Sequence, residues 1–201
     1  MRFRARIAVP LLSALALFGM APAAQAVETS APATSEVVTV GKLTPEQAQK
    51  VDAAGAKRTG LRTQGRALCY QAHVRGSDQW SAKLCTDGAA GYTGTVGQNK
   101  PIDEIYFEVG TTGALNFNVQ AHWAEDGTGS ENNVPPGTWI RIGNIHGQPL
   151  QAIHLRSTNE TLKAAAHVQD VGWKSTDQWL YDQWIGSIGE NRWMEAFWVA
   201  I

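Results

Sequence analysis

Three stretches of the chain alternate apolar and polar positions: Ile105/Phe107/Val109, Ile153/Leu155 and Phe197/Val199/Ile201. A period of two sends successive side chains to opposite faces of an extended backbone, so each stretch predicts a strand with one buried face. Two further motifs accompany these strands in a fixed order. An Ala-His pair followed by an apolar residue stands at Ala72-His73-Val74, Ala121-His122-Trp123 and Ala166-His167-Val168, at spacings of 49 and 45. A glycine-framed motif comes next, at Gly94-Thr95-Val96-Gly97, Gly143-Asn144-Ile145-His146-Gly147 and Gly186-Ser187-Ile188-Gly189. Turn formers such as Asp87-Gly88, Pro135-Pro136-Gly137 and Gly189-Glu190-Asn191 separate the strands, and no copy holds a long helical period. The pattern predicts an all-β domain over residues 66–201 made of three copies, about 66–110, 114–158 and 162–201.

A copy of this size, with about four short strands, cannot bury its apolar face alone, so the three are expected to share one core around a pseudo-threefold axis. A β-prism, with three antiparallel sheets facing a common axis, satisfies this; a β-trefoil is the alternative. Residues 27–65 are nearly free of aromatic side chains and are expected to form a flexible N-terminal segment with two local elements. Ser35-Glu36-Val37-Val38-Thr39-Val40 has strand composition. Thr44-Pro45-Glu46-Gln47 offers an N-cap, a Pro at the first helical position and a capping-box Gln, ahead of a short helix to about Lys57.

The first 26 residues read differently. Arg2, Arg4 and Arg6 lead into the apolar run Ile7 to Phe18, and Ala24-Gln25-Ala26 fits a cleavage site, the organisation of a secretory signal peptide. The run is short for a membrane span and is interrupted by Pro10. Its removal takes away three arginines and no acid, leaving a mature chain of formal charge −4. Secretion into the medium is expected, with no membrane insertion after cleavage. Outside the cell thiols tend to oxidise, so Cys69 and Cys85, the only two cysteines, are expected to pair.

Composition narrows the partners. A charged fraction of 17% with 8 Trp in 201 residues argues against disorder and against a coiled coil. A near-neutral chain also lacks the basic stripe that nucleic acid requires.

The copies resemble the clostridial hydrophobic repeats with a Trp, the hydrophobic W repeats. Copy three carries the resemblance best, through Ala166-His167-Val168-Gln169-Asp170-Val171-Gly172-Trp173, Gly186-Ser187-Ile188-Gly189 and Met194-Glu195-Ala196-Phe197-Trp198-Val199. Copy one keeps Tyr70-Gln71-Ala72-His73-Val74, a displaced Trp80 and Gly94-Thr95-Val96-Gly97; copy two lacks the Gly-Trp pair and inserts a loop from Glu125 to Gly137. The resemblance implies a β-prism-like secreted or cell-surface module that binds rather than catalyses.

Candidate chemistry agrees with binding. Asp-Gln-Trp occurs at residues 78–80, 177–179 and 182–184, but not once per copy and not as Gln-x-Trp, which separates it from the trefoil lectin repeat. No nucleophile elbow, Cys-His pair or glycosidase carboxylate pair is apparent, and no enzyme activity, cofactor or metal is expected. The Ala-His histidines are expected to be inward, hydrogen-bonded members of the core. Trp173, Trp193 and Trp198 are assigned to the core as well. Trp80, Trp139, Trp179 and Trp184 lie beside polar or turn residues and are the surface candidates, since Trp supplies both sugar platforms and protein hot spots. Val37, Val38, Thr39 and Val40 are a candidate strand for addition to a partner's sheet. Two functions are carried forward: an adaptor joining other secreted proteins in an extracellular assembly, such as a toxin particle, and a lectin-like module binding carbohydrate or cell wall.

Overall fold

The structure is a computed structural model that describes residues 35–56, 67–86, 91–113 and 115–201. The expected signal peptide, the helix end at Lys57 and the turn Asp87-Gly88 lie outside the described residues. The fold is all-β with one described helix.

A strand, β1 (Glu36–Lys42), and a helix, α1 (Pro45–Ala56), come first. The stretch expected as copy one, about 66–110, contributes β2 (Leu68–Val74), β3 (Leu84–Cys85), β4 (Thr93–Gly94) and β5 (Ile102–Val109). Copy two contributes β6 (Phe117–Trp123), the short pieces β7 (Gly127–Thr128) and β8 (Asn132–Val134), then β9 (Thr138–Asn144) and β10 (Leu150–Ser157). Copy three contributes β11 (Lys163–Val168), β12 (Gly172–Ser175), β13 (Asp182–Gly186) and β14 (Met194–Ala200).

These strands form three antiparallel sheets of a common order. The first sheet runs β1-β9-β5-β2-β3, the second β13-β10-β6-β7 with β8 also on β6, and the third β12-β11-β14-β4. Each therefore takes its outermost body strand from a different copy: β9 of copy two joins the first sheet, β13 of copy three the second, and β4 of copy one the third. The exchange is cyclic, so each copy completes a sheet of one neighbour and has its own completed by the other.

The core lies among the three sheets. Ile105, Phe107 and Val109 from β5, Ile153 and Leu155 from β10, and Phe197 and Val199 from β14 are buried in one cluster, as their alternation requires. Rings from different copies meet at its centre: Phe107 lies 5.3 Å from Phe117 and 5.9 Å from Phe197, and Tyr70 stacks on Phe197 at 5.4 Å.

Over its described residues the leader is ordered rather than flexible. β1 pairs along its whole length with β9, Val38 opposite Ile142 and Val40 opposite Ile140, and Val38 packs on the core. Val37 and Val40 remain exposed. The β-prone segment thus finds its hydrogen-bond partners in its own sheet. α1 starts with the expected capping box: Gln47 N–H donates to Thr44 Oγ1 at 3.2 Å, and Thr44 N–H donates to Gln47 Oε1 at 2.9 Å. Val51 packs with Ala67, Cys69 and Cys85 in a satellite cluster, and a disulfide joins Cys69 to Cys85 across the β2–β3 pair. Beside Val51, Asp52 accepts from the backbone of Thr111 at 2.8 Å and of Thr112 at 3.1 Å, and from both hydroxyls.

Candidate functional site

The three Ala-His pairs place their histidines on the outer faces of the sheets. Ala72 and Val74, Ala121 and Trp123, and Ala166 and Val168 fill the core, so the histidine between them can only point the other way. The expectation of inward histidines is corrected by the same alternation that predicted the strands: one face of β2, β6 and β11 is already committed.

A row of four residues crosses each outer face at the histidine. In the first sheet it is Gly143, Glu104, His73 and Trp80; in the second Gly186, Ala152, His122 and Thr128; in the third Gly94, Ala196, His167 and Trp173. A bulge beside each row admits one extra residue on β5, β10 and β14: Asp103, Gln151 and Glu195, all buried. The bulge explains the glycines. At Gly94 and Gly186, with φ of 99° and 109°, a Cβ would strike the carbonyl oxygens of the bulged residues Glu195 and Gln151.

Two bulges supply a carboxylate to the histidine. His73 Nδ1 lies 2.6 Å from Asp103 Oδ1, the imidazole N–H donating. His167 Nδ1 lies 2.9 Å from Glu195 Oε2, within ion-pair reach when protonated though not aligned for a hydrogen bond, while Gly97 N–H donates to the same oxygen at 3.0 Å. In the second sheet His122 Nδ1 instead sits 2.7 Å from Thr128 Oγ1, and burial holds His122 below the ordinary histidine range.

On the first and third faces the Trp across from the histidine meets a side chain from a neighbouring stretch, and on the second face Trp184 meets the histidine itself. On the first face Trp80, 5.5 Å from His73, is reached by the Arg141 guanidinium at 5.3 Å. Arg141 also donates to Glu104. Tyr106 fills the space between Trp80 and Trp139, at 6.1 and 5.6 Å. Its hydroxyl donates to the buried Glu108 at 2.7 Å, Lys83 donates to Glu108 at 2.5 Å, and burial together with that carboxylate pushes the phenol upward. On the third face Trp173 lies edge-on to His167 at 5.5 Å and to Tyr92 at 5.6 Å. On the second face Trp184 stacks on His154 at 4.9 Å and meets His122 edge-on at 6.5 Å, while His154 Nε2 donates to Asp182 Oδ1 at 2.5 Å.

The four surface candidates therefore separate. Trp80 and Trp139 are half-buried in the closed first face, Trp139 lying opposite Gly41 of β1. Trp179 is 50% exposed and Trp184 37%. Trp173, assigned to the core, is 43% exposed, because it stands on the outer side of an edge strand opposite an outward histidine. Trp193 and Trp198 are half-buried. Tyr92, 49% exposed, and Arg141 were missed, yet both stand two residues before the first glycine of their motif, as Trp184 does. Among the described residues no three His, Cys, Asp or Glu side chains gather as a metal-ligand set. What the arrangement offers is contact: rings held edge-on over imidazoles, two of the three faces open to solvent.

Fold and faces define an all-β protein with an aromatic-lined surface on each sheet. No family model, curated protein or solved structure matches the chain.

Proposed function

We propose that this chain is a secreted, non-catalytic adaptor that joins other proteins in an extracellular assembly, built as a β-prism of three hydrophobic W repeats. Three separate antiparallel sheets around one core favour the prism over the trefoil. The intact Cys69–Cys85 bridge suits an oxidising compartment.

The observation that carries the reading is the Tyr92–Trp173 pair. Two large rings, each nearly half exposed, meet edge-on, Trp173 on β12 beside His167 and Tyr92 brought to it by the start of β4. Aromatic anchors preorganised in this way lose little side-chain entropy on association and dominate the energy of protein interfaces. The closed first face, where Arg141 pairs with Glu104 and Lys83 with Glu108 around the rings, instead serves the chain's own β1 edge.

Recovery of the tagged protein from the culture supernatant of its source, followed by mass spectrometry, tests this. Stoichiometric partners are expected, and a Y92A/W173A chain should recover at least one of them about tenfold less well, a loss typical of hot-spot truncation. A protein that elutes alone and is retained on cell-wall or polysaccharide material would replace the adaptor with the lectin-like reading.

A further inference from the structure

We propose that the outer face of the second sheet receives an aromatic side chain of a partner protein, which takes over His122 the place that Trp80 and Trp173 take over His73 and His167. The proposal rests on the adaptor reading and names the chemistry of one contact.

The argument is one of equivalent positions. The residue directly across from the row histidine is Trp80 on the first face and Trp173 on the third, but Thr128 on the second. In the first two cases that indole meets the side chain arching from the opposite edge, Arg141 or Tyr92. On the second face the arching side chain is Trp184, and Thr128, exposed on the two-residue strand β7, has no ring to offer it. Trp184 is left with two imidazoles as neighbours and stays over a third exposed. The third face shows the shape that fits, an indole edge-on both to Tyr92 and to the histidine, and on the first face an indole beside the histidine likewise meets the arching side chain, its ring lying under the Arg141 guanidinium.

The polar groups of the face favour such an occupant over a saccharide. His154 is hydrogen-bonded to Asp182, His122 to Thr128, Gln120 Nε2 to the carbonyl of Gly129 at 2.7 Å, and Arg156 to Glu131 at 2.9 Å. A sugar must exchange its hydration for hydrogen bonds, and here most candidates are already spent on one another. An aromatic ring requires none, gaining from area and from edge-to-face geometry.

The test is an NMR titration of the 15N-labelled chain, residues 27–201, with N-acetyl-L-tryptophanamide. A saturable shift of the Trp184 indole N–H is expected at millimolar concentrations, as suits a single ring. Thr128→Trp supplies the ring from within, as on the other two faces, and should weaken the probe about tenfold or more while leaving the remaining amide spectrum dispersed. Should that variant not fold, Trp184→Ala must show the same loss, read on the backbone amides of His122 and Thr128, which in the unsubstituted chain shift together with the indole. No saturable shift, an equal shift in the variant, or a shift produced by methyl glycosides and not by the indole would each overturn the proposal. The supernatant experiment keeps the two ideas apart: a T128W chain that still recovers every partner leaves the adaptor standing and removes this site.

Discussion

At the scale of single residues, the bulges and their glycines are where sequence and function meet most directly. Gly94 and Gly186 combine a left-handed backbone with a neighbouring carbonyl where a Cβ would lie, so strain and collision add. Gly94→Ala or Gly186→Ala should each cost about 1–3 kcal/mol or more in denaturant unfolding. Gly97→Ala, at a φ of 66° with nothing within 4 Å, should cost only about 1 kcal/mol. Equal losses at the three positions would show that the bulge carbonyls are not the reason for the glycines. Two carboxylates make opposite pH predictions. Burial raises Glu36 above the ordinary value, although bonds from Trp123, Ser130 and Asn132 pull it down. Its protonated form is thus the better one in the fold, and its contribution is full below the unfolded value and lost as the pH rises through the folded one. Burial would raise Asp52 too, but its bonds from Thr111 and Thr112 outweigh this and hold it below the ordinary value. Asp52 therefore contributes above the unfolded value, and that contribution is lost as the pH falls through the folded one. Hydrogen exchange should find β1 better protected at pH 4 than at pH 7 relative to the core, with E36Q removing the difference, and α1 less protected as the pH drops below 4.

At the scale of elements, α1 is held by few contacts compared with the strands, whereas β1 is paired along its whole length with β9. α1 contributes Val51 to a small cluster closed by the disulfide, and its remaining attachment is Asp52. Its sequence is a weak helix former in isolation, so docking supplies its stability. Cys69→Ser with Cys85→Ser should lower global stability by about 2–4 kcal/mol and raise exchange in α1 most. Unchanged α1 protection in that variant would mean that Asp52 alone secures the helix. The strand and the capped helix were both legible in the leader, because Thr44, Pro45 and Gln47 act locally. That they lie against the body was not legible, since it depends on β9 and on residues 111 and 112, remote in sequence.

At the scale of the whole molecule, the cyclic exchange of β4, β9 and β13 makes each sheet depend on two copies. One cooperative unfolding transition is expected, with tryptophan fluorescence and far-UV circular dichroism coincident. A chain ending at residue 158 would strip the second sheet of β13 and leave β4 without β14, and it should not fold. A fragment with native-like dispersion would show that two copies suffice. Phe197→Ala, which opens a cavity where three copies meet, should cost about 3–5 kcal/mol by the same measurement.

The amino-acid sequence by itself determined an all-β chain, the buried faces of the strands around Phe107, Leu155 and Phe197, and the pairing of the only two cysteines. Each of these follows from period, spacing or count, which are properties of the chain read in one dimension. The tertiary structure decided which face of each sheet became a surface and what lies on it. Asp103 and Glu195 reach their histidines through bulges, Trp173 is exposed because its strand lies at an edge, and Arg141 reaches Trp80, Tyr92 reaches Trp173 and Trp184 reaches His122 from strands remote in sequence. Such neighbours are set by which strand pairs with which, and strand exchange between copies separates them in sequence while bringing them within a ring's width in space.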